Sequence, residues 1–301
     1  MKTSIKAQSD KKRTISYKAQ GTLESMGVAE QAASETVSAV EVERLDGASP
    51  YVFVCDHASN FVPDQYGTLG LDASELTRHI AWDPGALPVS RGLSSALDAT
   101  LVHSGISRLV IDCNRPVDAS DLFWTVSETT VIPGNQNLDE AARAERIALA
   151  YTPFHDAIDR IVAQRLSARR ETWLVSIHSF TPIYKGVSRP WHIGIIHDAD
   201  ERLSAPLANR LRQMKGITVG DNEPYSPADR VYFTLEKHAR SRGLPCAMIE
   251  IRNDEISGET GQRQWVERLA GILRQIESDD ASPALLARSQ SVDCGCGRKE
   301  V

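Results

Sequence analysis

The sequence predicts a single α/β domain built on a largely parallel or mixed sheet. Three observations carry that prediction. Short apolar runs at Tyr51–Cys55, Trp173–His178, His192–His197 and Cys246–Arg252 have strand length and strand composition. Longer stretches between them place apolar residues at helical spacing, as in Leu203, Leu207, Leu211 and Met214. Several of the short runs end in polar residues, which is how open α/β sheets present a site at the carboxyl ends of their strands.

Residues 1–40 are polar and lack clear periodicity, so they read as a flexible segment, with Val37–Leu45 able to pair at a sheet edge. The folded domain is expected over residues 41–278, followed by a flexible tail over 279–301. Tyr51–Cys55 reads as a strand buried on both faces that breaks into Asp56, His57, Ser59 and Asn60. Asp72–Ile80 reads as a short helix, and Trp82-Asp-Pro-Gly85 interrupts it. Ala86, Val89, Leu93 and Leu97 then continue at helical spacing, with Pro84 and Gly85 at the helix start and Asp83 a candidate N-cap.

Thr100–His103 and Arg108–Asp112 read as two strands, the second leaving into Cys113-Asn-Arg-Pro116. Residues 117–137 form an irregular loop, long enough to border a functional site. Leu138–Arg169 is expected to be helical in two segments, with Pro153 in the first turn of the second and Thr152 as its cap. The strand Trp173–His178 leads into a loop carrying Tyr184, Lys185, Gly186 and Arg189. The strand His192–His197, the helix over Leu203–Met214 and a minor strand at Ile217–Val219 follow. A helix through Val231, Leu235 and Ala239 ends at Gly243, where a left-handed C-terminal residue is favoured. Cys246–Arg252 is the last strand, and Trp265, Leu269, Ile272 and Ile276 mark the closing helix.

The totals narrow the function. At 301 residues, with 41% hydrophobic and 25% charged residues, the chain can bury a substantial core. A net charge of -6 gives no polyanion-binding footprint, which argues against nucleic acid. No apolar run approaches the roughly 18 residues needed to span a bilayer, so no membrane partner is expected. The basic, polar start lacks the apolar stretch of a secretory signal, and the default location is the cytoplasm. Five scattered cysteines make no disulfide framework, and Cys294-Gly-Cys296 lacks a second ligand pair.

Four predicted strand ends carry ionisable residues: His57, Arg115 beside Asn114, His178, and Glu250 with Arg252. Two histidines and a carboxylate near an open position suit zinc, which keeps three protein ligands and a water in catalytic sites. A further carboxylate can act as general base, and an arginine can grip a substrate carboxylate in a bidentate fashion. Each residue also has a plain structural role available: satisfied histidines, an Asp83 cap, a turn at Asn114-Arg115-Pro116. Glu250 stands apart, since a carboxylate inside a buried strand must be paired or metal-linked.

The chain resembles the N-formylglutamate amidohydrolase family. The resemblance rests on Asp56-His-Ala-Ser59, Trp82-Asp-Pro-Gly-Ala86, Asp112-Cys-Asn-Arg-Pro116, Ile177-His-Ser-Phe180 and Ile249-Glu-Ile-Arg252, and covers roughly residues 48–275. That family is similar in fold to the zinc carboxypeptidases. The resemblance therefore implies a three-layer α/β/α domain with a mixed sheet and a Zn2+ ion at the strand ends. It implies His57 and His178 as zinc ligands and Glu250 as general base. Asn60 stands where the carboxypeptidases have a ligand glutamate, which leaves Asp83 as the candidate carboxylate ligand. Asn114 and Arg115 would hold a substrate carboxylate, Arg115 also steadying a developing oxyanion, with Arg252 and Arg189 as further candidates.

The activity so implied is hydrolysis of the amide of an N-formyl or N-acyl amino acid, N-formyl-L-glutamate first, in amino-acid metabolism. A deacylase for larger acyl groups and a carboxypeptidase-like hydrolase share the same metal chemistry. A non-catalytic binding protein on the same fold and a thiol amidase using Cys55 or Cys113 are the remaining readings.

Overall fold

The computed structural model describes residues 15–17 and 37–280. In chain order the strands are β1 (Ile15–Tyr17), β2 (Val40–Glu43), β3 (Tyr51–Cys55) and β4 (Thr100–Ser104), then the hairpin β5 (Val126–Ser127) and β6 (Thr130–Val131). They continue with β7 (Trp173–Phe180), the hairpin β8 (Ile183–Tyr184) and β9 (Val187–Ser188), β10 (Ile193–Ile196), β11 (Val219–Asp221) and β12 (Cys246–Arg252). The α-helices are α1 (Ala86–Leu97), α2 (Glu140–Arg146), α3 (Thr152–Ser167), α4 (Ser204–Arg212), α5 (Phe233–His238) and α6 (Glu259–Asp280). The main sheet runs β1-β2-β4-β3-β7-β12-β10-β11. Its centre, β4-β3-β7-β12, is parallel; β2 and β10 flank it antiparallel, so the sheet is mixed.

Alternation along the central strands sorts the side chains into two cores. Phe53, Val175, Ile177, Ala247 and Ile249 face one way and pack with α1, α4 and α6 through Val89, Leu93, Leu207, Trp265 and Leu269. Val52, Val54, Leu174, Cys246 and Met248 face the other way, against Phe154, Ile158 and Val162 of α3 and Leu235 of α5. Helices cover both faces, which gives the α/β/α layering expected from the sequence. Among the described residues no helix is long and apolar enough to cross a membrane.

Several local expectations fail for identifiable reasons. Arg108–Asp112 is not a strand. Leu109, Val110 and Ile111 are all buried and feed a third core under the long loop, together with Leu122, Phe123 and Ile132. The Ser107 hydroxyl accepts from the Leu109 amide and its carbonyl accepts from Val110, a local turn that competes with ladder pairing. Asp72–Ile80 forms turns around a 3-10 segment at Glu75–Thr77, because Glu75 and Arg78 are tied to Thr130 and Glu128 of the β5–β6 hairpin. The expected break before Pro153 is instead a π-helical turn at Ile147–Tyr151, continuous with α2 and α3. Such a turn accommodates a proline ring without ending the helix. Asp83 is no N-cap, since Gly85 holds that position without any side-chain cap bond. The minor strand falls at Val219–Asp221 rather than Ile217–Val219.

Within the segment expected to be flexible, Ile15–Tyr17 pairs antiparallel with Val40–Glu43. Helix α6 runs to Asp280, past the expected start of the tail at residue 279. The remaining expectations for residues 1–36 and 281–301, including Cys294 and Cys296, lie outside the described residues.

Helices α3 and α5 are joined by a buried imidazole pair. His155 Nδ1 lies 2.7 Å from His238 Nε2, and His238 Nδ1 lies 2.9 Å from Asp159 Oδ1. Burial first, then repulsion from the partner ring and from Lys237, pushes His155 down to about 3. Burial outweighs the Asp159 attraction and holds His238 at about 4. The unfolded chain therefore takes up protons below about pH 6.5 while the folded chain resists until about pH 4. Their contribution to stability is complete above pH 6.5 and is lost as pH falls toward 4. The thermal midpoint is expected to drop more steeply over that window in the wild type than in His155→Gln/His238→Gln. Parallel slopes in the two melts would remove the pair as the cause.

Candidate active site

Three neighbouring strands end in titratable residues on the same face of the sheet. Taking alternate residues, Val52 and Val54 lead to Asp56 just past β3, Leu174 and Ser176 lead to His178 on β7, and Cys246 and Met248 lead to Glu250 on β12. Glu250 and His178 are register partners on parallel strands, so their side chains project to the same side. His57 follows in the turn after β3, where its carbonyl accepts from the Asp83 amide at 2.9 Å. Gly85, with φ at 83°, lets that Trp-Asp-Pro-Gly turn close, and a Cβ there would meet the Ile256 carbonyl oxygen at 2.5 Å.

His57, Asp83 and His178 converge, each offering a ligand atom within 4.8 Å of the others, all buried. Asp83 Oδ2 lies 3.4 Å from His57 Nδ1 and 2.8 Å from His178 Nδ1. The outward nitrogens are both engaged. His57 Nε2 donates to Asp112 Oδ1 at 2.7 Å. The Ser176 hydroxyl donates to Asp56 Oδ2 at 3.0 Å, so it accepts from His178 Nε2, 2.8 Å away. With a proton fixed on each Nε2, both Nδ1 atoms turn a lone pair toward Asp83 when the rings are neutral. A proton or a cation must then separate these acceptors. Burial and Arg108 oppose charging His57, yet Asp112 and Asp83 prevail and raise it. Burial likewise opposes charging His178, but Asp56 and Asp83 lift it well above the usual range.

The outer carboxylates are held in turn. Asp112 Oδ2 accepts from Arg108 Nη2 at 2.8 Å and Trp124 Nε1 at 2.9 Å, and Asp112 Oδ1 also accepts from the Asn114 amide at 2.9 Å. Burial works against the charged form of Asp112, but Arg108 and His57 hold the carboxyl well below its ordinary value. Asp56 accepts from the Thr234 hydroxyl, and it sits at about 2 because His178 and His57 overcome its burial. The sequence pattern marks Asp56 and Asp112 as polar residues at predicted strand exits without assigning them a role, and it does not single out Arg108, Trp124, Ser176 or Thr234. Their roles depend on loop and strand neighbours that no local pattern reveals.

Glu250 is 4% exposed, and its Oε2 is buried without a hydrogen-bond partner. Burial pushes its carboxyl up to about 7, with His178 pulling down and Asp83 pushing up. The arginines fare differently. Arg115 Nε donates to Asp121 at 3.0 Å, and its Nη1 donates to the carbonyls of Asn114 and Arg230. Asn114 donates to the Val231 carbonyl and accepts from the Thr234 amide, so its amide is committed to the start of α5. Arg252 bonds Asp254 and Glu255 and reaches the carbonyls of Arg189, Pro190 and Trp191. Arg189 is 8% exposed, lies 4.5 and 4.8 Å from the ring centroids of Tyr184 and Tyr225, and donates to the Tyr225 hydroxyl at 3.1 Å. Burial and the charge of Glu250 raise Tyr225 to about 12, and the Arg189 guanidinium opposes that shift.

The Cys55 and Cys113 thiols are buried and pushed well above their ordinary value by that burial and by neighbouring aspartates, which is contrary to a nucleophilic role. His197 is engaged with Asp221 and the Asp198 carbonyl. A donor set of two imidazoles and one carboxylate matches in number and kind what a catalytic zinc takes, and the unpartnered Glu250 oxygen lies on the same side of the sheet.

Buried acid–base groups gathered at the carboxyl ends of an α/β/α sheet are the setting of an enzyme active site. The chain belongs to the N-formylglutamate amidohydrolase family, whose model matches residues 49–257. It is therefore a hydrolase of the amidohydrolase kind, and its substrate class is a small amino-acid derivative. Among solved structures it is similar to gene product Atu2144 from Agrobacterium tumefaciens, with 45% identity and a TM-score of 0.79 over 81% of this chain and 96% of that one. It is also similar to N-formylglutamate amidohydrolase from Ralstonia eutropha JMP134, with 20% identity and a TM-score of 0.62 over 77% of this chain and 94% of that one. The second likeness concerns the fold. No curated protein matches the chain.

Proposed function

We propose that this protein is a zinc-dependent amidohydrolase that cleaves the amide of an N-formyl or N-acyl amino acid, with N-formyl-L-glutamate the first substrate to test. The observation that carries the reading is the inward-facing donor set of His57, Asp83 and His178 beside the unpartnered Oε2 of Glu250. Zinc at such a set supplies Lewis-acid polarisation of a carbonyl and a lowered pKa for water.

The chain's own groups do the rest. Asp112 and Asp56 keep the outward nitrogens of His57 and His178 protonated, directly and with Ser176, and so fix which nitrogen faces inward. Glu250, held near neutrality by burial, takes the proton of the attacking water and delivers it to the leaving amine nitrogen. Arg189, set between two tyrosine rings, is the candidate partner for a substrate carboxylate, because among the described residues its guanidinium is hydrogen-bonded only to Tyr225. Asn114 and Arg252, and Arg115 through Nε and Nη1, are bonded to protein groups and rank behind Arg189 for that role. The products are formate, or the corresponding acid, and the free amino acid.

Metal analysis of the purified protein is expected to find zinc near stoichiometry. In an assay of N-formyl, N-acetyl and N-succinyl amino acids, the formyl substrates are expected to turn over fastest. Thorough chelation should abolish formate release and added zinc should restore it. Turnover that persists after the metal has been stripped would sink the mechanism.

A further inference from the structure

The outer oxygens of two site carboxylates are bridged by one guanidinium. Arg108 Nη2 lies 2.8 Å from Asp112 Oδ2, and its Nη1 lies 3.5 Å from Asp83 Oδ1. The inner oxygens of the same two carboxylates face the histidines: Asp112 Oδ1 holds His57 Nε2, and Asp83 Oδ2 faces both Nδ1 atoms. The contacts close a ring through Arg108, Asp83, His57 and Asp112. The arginine's backbone is tied to the same region, its amide donating to the Ala81 carbonyl at 3.2 Å. Ser107 beside it donates to Ala81 through its hydroxyl and to the Phe61 carbonyl through its amide. The fork is thus mounted on the segment that runs from His57 to Asp83.

We infer that Arg108 is a positioning residue that fixes Asp83 as a one-oxygen donor and locks the orientation of His57 through Asp112. This rests on the metal reading of His57, Asp83 and His178 given above. An arginine suits the role because its planar fork spans two carboxylates at once, whereas a lysine presents a single point charge. With Oδ1 drawn toward Arg108 by an ion pair of 3.5 Å, Asp83 presents Oδ2 to the two histidines. Without the fork, Asp83 is free to turn both oxygens inward, and Asp112 loses a restraint that keeps its Oδ1 on His57.

A positioning role and a purely electrostatic role predict opposite results. Removing a cation beside the donor set should, on Coulombic grounds alone, strengthen the binding of a divalent ion. Loss of an outer partner that orients ligands instead weakens metal affinity roughly 10–100-fold. The test uses Co2+ as the probe, added to metal-stripped wild type, Arg108→Gln and Arg108→Lys, with affinity read by chelator competition and geometry by the visible spectrum. Both variants are expected to bind Co2+ about 10–100-fold more weakly, with a band changed in position and intensity as the donor count at Asp83 changes. Arg108→Lys retains the charge that buried Asp112 needs, so it remains a folded test case if the glutamine variant does not fold. Unchanged or tighter binding, or spectra that superimpose on the wild type, would overturn the inference while leaving the metal site intact. A wild type that takes up no Co2+ would overturn both this inference and the reading of the site.

Discussion

Glu250→Gln is expected to lower kcat for N-formyl amino acids by on the order of 10²–10⁴-fold, the range over which a positioned general base acts. Zinc content should be unaffected, because the donor set does not include this residue. The substitution is nearly isosteric, and it should not harm the fold. Burial raises the Glu250 carboxyl to about 7, above its unfolded value, so the folded state prefers the protonated form. Its contribution to stability is complete below the unfolded pKa and is lost as pH rises through about 7. The glutamine variant should therefore melt at a temperature equal to or above that of wild type at pH 8, with no such gain at pH 4. Full turnover in the variant would exclude Glu250 as the base.

Asp83→Asn is expected to abolish stable zinc binding, and formate release with it. Removing a charged inner donor should cost more than the roughly 10–100-fold typical of an outer partner. The fold should persist, because the amide can donate to the inward Nδ1 of His178, which lies 2.8 Å from the present Asp83 Oδ2. Dialysis followed by elemental analysis, with a thermal melt in parallel, checks both halves. Zinc retained at wild-type affinity would exclude Asp83 as the carboxylate donor.

Much of the frame is legible in the order of residues alone. Tyr51–Cys55, Trp173–His178 and Cys246–Arg252 read as buried strands because continuous apolar runs of that length fit little else, and they form β3, β7 and β12. The same reasoning failed at Arg108–Asp112. An apolar run of equal quality there packs under a loop, and periodicity over so few residues does not separate a strand from a buried turn. The break before Pro153 failed for a related reason: a π turn absorbs the proline at no cost that a sequence pattern displays. Within the site, His57, His178 and Glu250 were conspicuous as polar residues where apolar ones were due. Asp83 had an ordinary role on offer as a helix cap, and only the observed cap at Gly85 removes it.

The sequence by itself determined the α/β class, the central strands and the identity of the buried titratable residues at their ends, because strand burial and side-chain alternation are local consequences of residue order. The tertiary structure alone decided which of those groups meet and which arginine touches them. Arg108 reaches Asp83 and Asp112, while Arg115 turns to Asp121. Those outcomes depend on loop segments folded over the strand ends, where pairing is set by distance in space and by competition for hydrogen bonds rather than by spacing along the chain.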